Sequence, residues 1–502
     1  MDPLSEVIEV LAPIQRKEFE RYLSIHGKKD DRRDGEMFRL ICEDPSISSD
    51  QLLKELYPDN NRNAYHTLRK RLFARLQEFI SIKLIETDAS PSGSVAVMIN
   101  TAQFFIENEK FNLAARFLSK AKWKAKKHRL FSQHAEVLKL SMNHAMQLKF
   151  DYEVLFQEWS EIKKLNELEE NVSLATTLIR SQLDQLKRSG ESIVLKEIAQ
   201  RVLAKLGVNS DDIYDAGIAY RLMEIFRSSM IATKEYDLFE SYVEQEFEKL
   251  RDANSFSEND IQYELGFLYM IAHAKYRNRK LDEADVVNKE MRLKAEGAGD
   301  KLKRDYFAKY KMMKASIETY SGNNELAITL LEEELINPSK LRLEDRLNMM
   351  LNLSVYYFQA DMFEEALARI QGMEMNERKL QRIMGKEWRF KKALIEIIIL
   401  IELGEIAKAK LRMRALDRTF SDFLKLRIYE RVNGFLKVIR WIMDNPTEVA
   451  SAHFEEKVDS IIERLPGDRE DIQAMTFYCW VKSKMIQRPY YEVLVETIQT
   501  FE

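Results

Sequence analysis

The sequence predicts an all-α fold, and the observations behind this prediction are its composition and its hydrophobic patterning. The 502 residues include 15 Gly and 9 Pro, whereas average usage would give roughly 35 Gly and 25 Pro. Sheet-rich proteins need many tight turns, and these turns depend on Gly and Pro. Apolar residues recur instead at helical spacing along most of the chain. We therefore expect long helices joined by short polar turns.

The length and charge of the chain limit the kinds of protein it can be. A compact single domain rarely exceeds about 250–300 residues, so we expect several domains or a repeat array. The 78 basic and 82 acidic residues give a net charge of −4. This balance excludes a uniformly basic nucleic-acid coat, although it leaves room for a local basic patch.

The cysteines and the apolar segments predict a soluble cytoplasmic protein. Cys42 and Cys479 lie far apart in the sequence, so we expect a reducing compartment and no disulfide framework. The acidic start has no signal-peptide pattern. The most apolar stretch, 393–403, contains Glu396 and Glu402 and is much shorter than the about 20 residues that span a bilayer. We therefore expect no membrane insertion.

Residues 1–86 are predicted to form a small N-terminal helical domain. Ser48 and its polar neighbours are residue types that cap a helix. Residues 87–94 combine Ser, Gly and Pro as a linker does. The expected helices are a first one around Leu11, Phe19 and Tyr22, then 36–42, 51–57 and 62–85; helical repeats follow over 95–469 and C-terminal capping helices over 470–502.

Several segments after the linker share one format. A small residue is followed three positions later by an aromatic or large residue, and a second small residue lies near the start of the next helix. The clearest example is the stretch NLSVYYFQADMFEEALARI, which combines Ser354, Tyr357 and Ala366. The other examples are centred on Ala102 with Ala114, Ala272 with Ala284, Ala315 with Ala327, and Gly404 with Ala409.

This format resembles the tetratricopeptide repeat family, in which small residues on facing helices let the two backbones approach. The second-helix anchors Ala284, Ala327, Ala366 and Ala409 are separated by 43, 39 and 43 residues, whereas the usual period of the family is about 34. We therefore expect longer helices or extended loops. The resemblance implies a superhelical solenoid of antiparallel helix pairs, because one pair alone cannot bury its apolar face.

The resemblance also implies a concave groove lined by first-helix residues. Carried onto this sequence, these positions hold apolar and basic residues, which suit an extended peptide or helix with apolar anchors and some acid. The two-carboxylate clamp of the family is not expected, because its positions hold Ile99, Met313 and Leu351. The same surface could instead contact neighbouring repeats or the terminal helices of the protein itself. The predicted groove residues are Lys309, Met312, Ser316, Asn348, Leu351, Val355, Phe358, Lys391 and Leu394.

The segment 48–80 resembles the winged-helix head of bacterial transcriptional activators that carry tetratricopeptide-like repeats. A short helix, the turn Tyr57-Pro58-Asp59 and a basic helix follow one another, which implies DNA binding in the major groove. The β-hairpin wing of that family is not evident, so the alternative is a helical capping unit with a solvated basic face. The candidate nucleic-acid-binding residues are Arg62, His66, Arg69, Lys70, Arg71 and Arg75.

A second basic segment, 116–129, places seven Lys and Arg residues around Trp123 without an acidic residue. Lys120, Lys124 and Lys127 share one helical face in this segment. The face is either simply solvated, or it is a surface for an acidic partner, RNA or an anionic surface.

No recognised catalytic pattern is present in the sequence. Glycine-rich phosphate loops, the serine-hydrolase motif and the zinc-protease motif are missing, and no histidine pair has metal-ligand spacing. We therefore expect no enzyme activity, metal or cofactor. The leading expectation is a scaffold or adaptor that binds a protein or peptide. The alternative is a transcriptional regulator that binds DNA through 45–85 and uses the repeats as a sensing or partner-binding arm.

Overall fold

The regular structure of the described residues is helical, which confirms the predicted all-α class. In the computed structural model, the described residues form 26 α-helices and three single-turn 3-10 helices, with no β-strand among them. The structure describes residues 3–26, 32–44, 47–87, 90–189, 195–233, 236–373, 375–426, 429–461 and 472–499.

The chain divides into two compact units, 1–166 and 167–502. The domain boundaries expected from the sequence, at 86/87, 94/95 and 469/470, stay predictions. The helices of the first unit are α1 (Pro3–Val10), α2 (Pro13–His26), α3 (Arg32–Glu43), α4 (Ser49–Leu56), α5 (Arg62–Thr87), α6 (Pro91–Glu107), α7 (Phe111–Lys127), α8 (Phe131–Asn143) and α9 (Ala145–Leu148).

The second unit contains sixteen of the helices. Before them, α10 (Tyr152–Ser189) begins in the first unit and continues into the second. The helices are α11 (Leu195–Lys205), α12 (Ala216–Thr233), α13 (Tyr236–Asp252), α14 (Ile261–Arg277), α15 (Leu281–Glu296), α16 (Asp300–Tyr320), α17 (Asn324–Leu335), α18 (Leu343–Gln359), α19 (Phe363–Gln371), α20 (Glu377–Met384), α21 (Lys386–Glu402), α22 (Ile406–Leu424), α23 (Glu430–Asp444), α24 (Ala452–Ile461), α25 (Ile472–Ile486) and α26 (Tyr490–Gln499).

Local sequence signals explain where two helices of the first unit begin. The hydroxyl of Ser48 accepts the backbone N–H of Gln51, and the Gln51 side chain accepts the Ser48 N–H, so α4 starts with a capping box. The Ser90 hydroxyl accepts the backbone N–H of Gly93 at the start of α6, and Pro91 occupies the first turn of this helix, where the missing N–H costs nothing. Residues 91–94, which were predicted to belong to the linker, therefore lie in α6, while 88–89 fall outside the described residues.

Two separate hydrophobic clusters stabilise the first unit. One is built by residues between Leu4 and Phe79, and the other by residues between Val95 and Leu148. The predicted first helix is divided at Leu11 and Ala12 into α1 and α2. Phe19, the residue that marked it, is fully buried in the first cluster.

Neighbouring helices pack as pairs at the positions that the small residues predict. The contacting pairs include α6 with α7, α14 with α15, α16 with α17, α18 with α19 and α21 with α22. Ala102, Ala114 and Ala366 are completely buried, and the Ser354 hydroxyl donates across its pair to the Ala366 carbonyl at 2.8 Å. A side chain larger than these would hold the two backbones apart.

The first helices of successive pairs also contact one another. α14 contacts α16, α16 contacts α18, and α18 contacts α21. The 21-residue helix α16 and the 3-10 turn Pro338–Lys340 between α17 and α18 agree with the expectation of longer helices or extended loops. These four first helices carry the candidate site.

Candidate functional site

A cavity of about 300 Å³ lies in the second unit, and eight of the nine predicted groove residues line it. The ninth, Leu394, is buried in the helical core. The eight are Lys309, Met312, Ser316, Asn348, Leu351, Val355, Phe358 and Lys391.

The lining follows a register of about 40 residues through the four first helices. Three equivalent positions, one turn apart on each helix, face the cavity in all four. The first positions are Tyr269, Lys309, Asn348 and Trp388, the second are His273, Met312, Leu351 and Lys391, and the third are Tyr276, Ser316, Val355 and Ile395.

Sequence reasoning missed the α14 residues and Trp388, although this register was available as a signal. Adding or subtracting one period of about 40 residues from the predicted positions identifies them. The periodicity of the α-helix then explains the convergence, because residues three, four and seven apart lie on one face.

The C-terminal helices form the remaining wall of the cavity. Thr476, Phe477 and Trp480 of α25 and Tyr490 of α26 all line it. The Tyr490 ring packs against Phe358, with 5.5 Å between the ring centroids. The sequence analysis left contact of the groove residues with the terminal helices open as an alternative, without a pattern that identified these four residues.

Hydrogen bonds hold the C-terminal helices in this position. The Trp480 indole N–H and the Lys484 ammonium each donate to the Glu402 carboxylate at 2.6 Å. The Tyr491 hydroxyl donates to the carbonyl of Thr319 at 2.6 Å. Part of the predicted groove is thus in contact with the chain's own terminal helices, one of the two alternatives to partner binding.

The predicted residues differ in how accessible they are. Leu351 and Phe358 are 2% and 7% exposed and belong to the core, so they are not available as anchors for a partner. Lys309, Met312, Ser316, Asn348, Val355 and Lys391 are half-buried, so part of each side chain is accessible.

Lys309 is the best-defined charged group of the cavity. Its ammonium lies 4.3 Å from the ring centroid of Tyr306 and 4.9 Å from that of Tyr269, a cation–π arrangement. Burial lowers the pKa of Lys309; Asp345 opposes this shift, whereas Arg227 acts in the same direction. Within the described ranges no hydrogen bond or ion pair engages its ammonium.

His273 contributes a neutral ring to the same wall. Burial lowers the pKa of His273 well below its usual value, and the nearby Arg227 and Arg277 add to this effect. The ring lies between Tyr269 and Tyr276, with centroids 6.1 and 6.4 Å away. At neutral pH this imidazole is therefore uncharged.

One hydrogen bond fixes the orientation of a polar group on the wall. The Trp388 indole N–H donates to Oδ1 of Asn348 at 2.9 Å. Because an indole N–H can only donate, the amide oxygen of Asn348 must face it, and the amide NH₂ faces elsewhere. Asn348 therefore offers donors to the cavity.

The predicted nucleic-acid-binding residues lie on α5, and two of them are engaged inside the domain. The buried carboxylate of Asp34 accepts from Arg71 at 2.8 Å and from Arg75 at 2.7 Å. Arg69 donates to the Ser49 hydroxyl. The described residues between 3 and 87 contain no strand, so the wing that the resemblance implied is not found there.

The other three predicted α5 residues, Arg62, His66 and Lys70, are exposed. In the second basic segment, Trp123 is also exposed, and Lys127 lies over its ring at 4.9 Å. Lys122 pairs with Glu158 at 2.9 Å. These surfaces are accessible, but neither forms an enclosed site.

Two further features are absent from the described residues. No group of three or more His, Cys, Asp or Glu side chains is arranged to share a metal ion there. In the same residues, no helix has the length and apolarity that crossing a bilayer requires.

No protein-family model matches the chain, and no curated protein is significantly similar to it. A functional assignment therefore depends on the residues themselves.

Proposed function

We propose that this protein is a non-enzymatic scaffold of tetratricopeptide-like helix pairs stacked as a solenoid, and that it binds a segment of a protein partner at the cavity. The observation that supports this most directly is the convergence of three equivalent positions from four successive first helices on one cavity. Stacked repeats present a continuous surface in this way. The half-buried Lys309, Met312, Asn348 and Val355 would make the contacts.

The partner surface is tested best at positions that are accessible and not part of the core. Met312→Glu with Val355→Glu places two charges on the half-buried wall, whereas replacing Leu351 or Phe358 would disrupt packing. We expect affinity purification from the native cell to lose a partner that the unchanged protein retains. The matched control is Leu293→Glu, which is on the exposed face of α15.

Both variants should keep the far-UV circular dichroism of the unchanged protein. If the Met312→Glu, Val355→Glu protein captures the same partners as the control, the proposed contact surface is wrong. Loss in both variants would point to a different surface and would equally contradict the proposal.

DNA binding through α5 is the second candidate. It is supported by Arg62, His66 and Lys70, which recur every four residues on the exposed side of the helix. If Arg62 and Lys70 each neutralise one phosphate, the logarithm of the binding constant should fall against the logarithm of salt concentration with a slope of about −2.

A gel-shift titration with duplex DNA at several salt concentrations tests this candidate. Arg62→Glu with Lys70→Glu should abolish the shift, and Lys110→Glu, an exposed lysine before α7, should retain it. A duplex that is not shifted even at low salt would eliminate the candidate.

A further inference from the structure

The residues that line the cavity carry charge of one sign and a large aromatic surface. Lys309 and Lys391 are basic, and no Asp or Glu occurs among the described residues that line the cavity. His273 is neutral. The aromatic lining residues are Tyr269, Tyr276, Tyr320, Tyr356, Phe358, Trp388, Phe477, Trp480 and Tyr490.

The ammonium of Lys309 lies over two tyrosine rings, which compensate only in part for its loss of contact with water. It is partly removed from water, and it has neither a hydrogen bond nor an ion pair within the described ranges. Burying an unpaired charge is costly. An anion placed beside Lys309 would supply the missing partner and would be held by a charge-assisted hydrogen bond.

A second cation strengthens the positive potential behind this wall. The Arg227 guanidinium lies 5.1 Å from the ring centroid of Tyr269, the same ring that Lys309 covers. Its Nε is buried without a hydrogen-bond partner within the described ranges. Arg227 lowers the pKa of Lys309, whereas Asp345 has a larger effect in the opposite direction.

Neutral donors accompany the two lysines. Trp388 holds the oxygen of Asn348, so the Asn348 amide NH₂ is left to donate. Asn352 lies one turn further along α18 and has no hydrogen-bonded side chain among the described residues. The Lys309 ammonium and the amide NH₂ groups together form a donor set that suits carboxylate or phosphate oxygens.

The size and enclosure of the cavity limit the rest of the ligand. A volume of about 300 Å³ is at the small end of ligand pockets, so it fits one ring or a short apolar chain. Trp388 of α21, and Phe477 and Trp480 of α25, line the cavity and provide flat apolar surfaces for such a body.

We propose that the cavity is a binding site for a small organic anion, with one carboxylate or phosphate group on an aromatic or apolar body. Lys309 pairs with the anionic group, Asn348 donates to it, and the aromatic wall packs against the body. This site goes beyond the scaffold function and does not depend on it, since a free small molecule would bind whether or not a protein partner exists.

The test uses the full chain and defined probes. Phenylacetate and phenyl phosphate supply the two anionic groups, and phenylacetamide is the neutral analogue of the first. Saturation-transfer NMR and tryptophan fluorescence report binding, because Trp388 and Trp480 line the cavity. We expect at least one anion to bind saturably and at least about tenfold more tightly than phenylacetamide. The anion that binds more tightly then shows whether the site prefers a carboxylate or a phosphate group.

Two variants locate the probe at this wall. Lys309→Met keeps the length of the side chain and should weaken anion binding about tenfold or more, whereas Lys303→Met, on an exposed part of α16, should leave it unchanged. Asn348→Asp retains an acceptor for Trp388 and introduces a negative charge, so it should abolish anion binding. Circular dichroism confirms that each variant is folded.

Three results would overturn the proposal. The first is equal affinity for phenylacetate, phenyl phosphate and phenylacetamide, which would mean that charge is not recognised. The second is equal anion affinity in Lys309→Met and Lys303→Met. The third is the absence of saturable binding by either anion at millimolar concentrations. If Asn348→Asp does not fold, the comparison of anion affinity in Lys309→Met and Lys303→Met still tests the proposal.

Discussion

At the scale of single residues, the scarcity of glycine is visible in the backbone of the turns. Helix pairs in this chain are joined by tight turns that require a left-handed residue, a conformation that costs most L-residues about 1–2 kcal/mol. Four glycines adopt it, whereas eight other residues do so among the described positions. These are Asn60, Glu109, Arg129, Lys149, Asn254, Arg279, Asp361 and Gln487.

The turn between α6 and α7 gives a direct test of this cost. Glu109 has φ +57° and an exposed side chain. Replacing it with glycine removes the steric penalty and adds some chain entropy to the unfolded state. We expect Glu109→Gly to stabilise the protein by about 1 kcal/mol, seen as a higher midpoint of thermal unfolding.

The control for Glu109→Gly is Gln103→Gly, an exposed position inside α6. Glycine in a helix interior should destabilise by about 1 kcal/mol. A midpoint that falls for both variants would show that the left-handed turn carries no strain to relieve.

His273 makes stability depend on pH. Because burial lowers its pKa, the native state stays neutral while the unfolded chain takes up a proton below about pH 6.5. Its contribution is fully present above that pH and is lost as the pH falls, by up to about 1.4 kcal/mol per pH unit.

We expect His273→Gln to reduce the fall in the thermal midpoint between pH 7 and pH 5 relative to the unchanged protein. Ser316→Ala in the same wall is the control, since it alters packing without removing a titrating group. If the thermal midpoint falls equally between pH 7 and pH 5 in the unchanged protein and in His273→Gln, this pH dependence does not come from His273.

At the scale of helices, sequence patterns predicted which helices form better than they predicted the residues at which those helices begin and end. The spacing of apolar residues predicted the long helix at 62–85, and α5 runs over Arg62–Thr87. The linker composition at 87–94 was a weaker guide, because Ser90 and Pro91 are also the residues that start a helix. Only the hydrogen bond from the Gly93 N–H to the Ser90 hydroxyl shows that these residues start a helix here and are not part of a linker.

The contact of α25 with α21 depends on one carboxylate. Glu402 accepts from both Trp480 and Lys484, and the Trp480 indole is buried. Glu402→Ala would leave the indole N–H unpaired, at a cost of about 1–3 kcal/mol. We expect faster amide hydrogen exchange over 472–486, measured by mass spectrometry.

The adjacent surface pair provides the control for this experiment. Glu405 pairs with the exposed Lys408 at 2.9 Å, and exposed pairs contribute about 0–1 kcal/mol. Exchange over 472–486 should therefore be unchanged in Glu405→Ala. Equal exchange in the two variants would mean that Glu402 does not hold α25 in place.

The basic residues of α5 show that a charge pattern in the sequence does not reveal which charges are paired inside the fold. Six basic residues in sequence suggested one nucleic-acid surface, yet Arg71 and Arg75 bind the buried Asp34 of α3. An unpaired buried carboxylate is costly, so these two arginines stabilise the domain. The separation of Asp34 from them in sequence hid this pairing.

At the scale of the whole molecule, the register of about 40 residues between equivalent positions is more informative than any single motif. Side chains about 40 residues apart bond to one another, as in Asn348 with Trp388 and Ser316 with Tyr356. This repetition brings equivalent positions together, and it explains why eight of nine predicted groove residues share one cavity.

The sequence by itself determined the helical class and the pairing of neighbouring helices. Both depend on local spacing and on small residues that recur along the chain, so they can be derived from the chain alone, whereas the groove positions on α16, α18 and α21 came from the resemblance to tetratricopeptide repeats. Only the tertiary structure decided that α25 and α26 line the same cavity, that Leu351 and Phe358 are buried, and that among the described residues the Lys309 ammonium has aromatic neighbours but no hydrogen bond or ion pair. These features depend on packing between distant parts of the chain, such as the contact of Tyr491 with Thr319, and no local pattern encodes such packing.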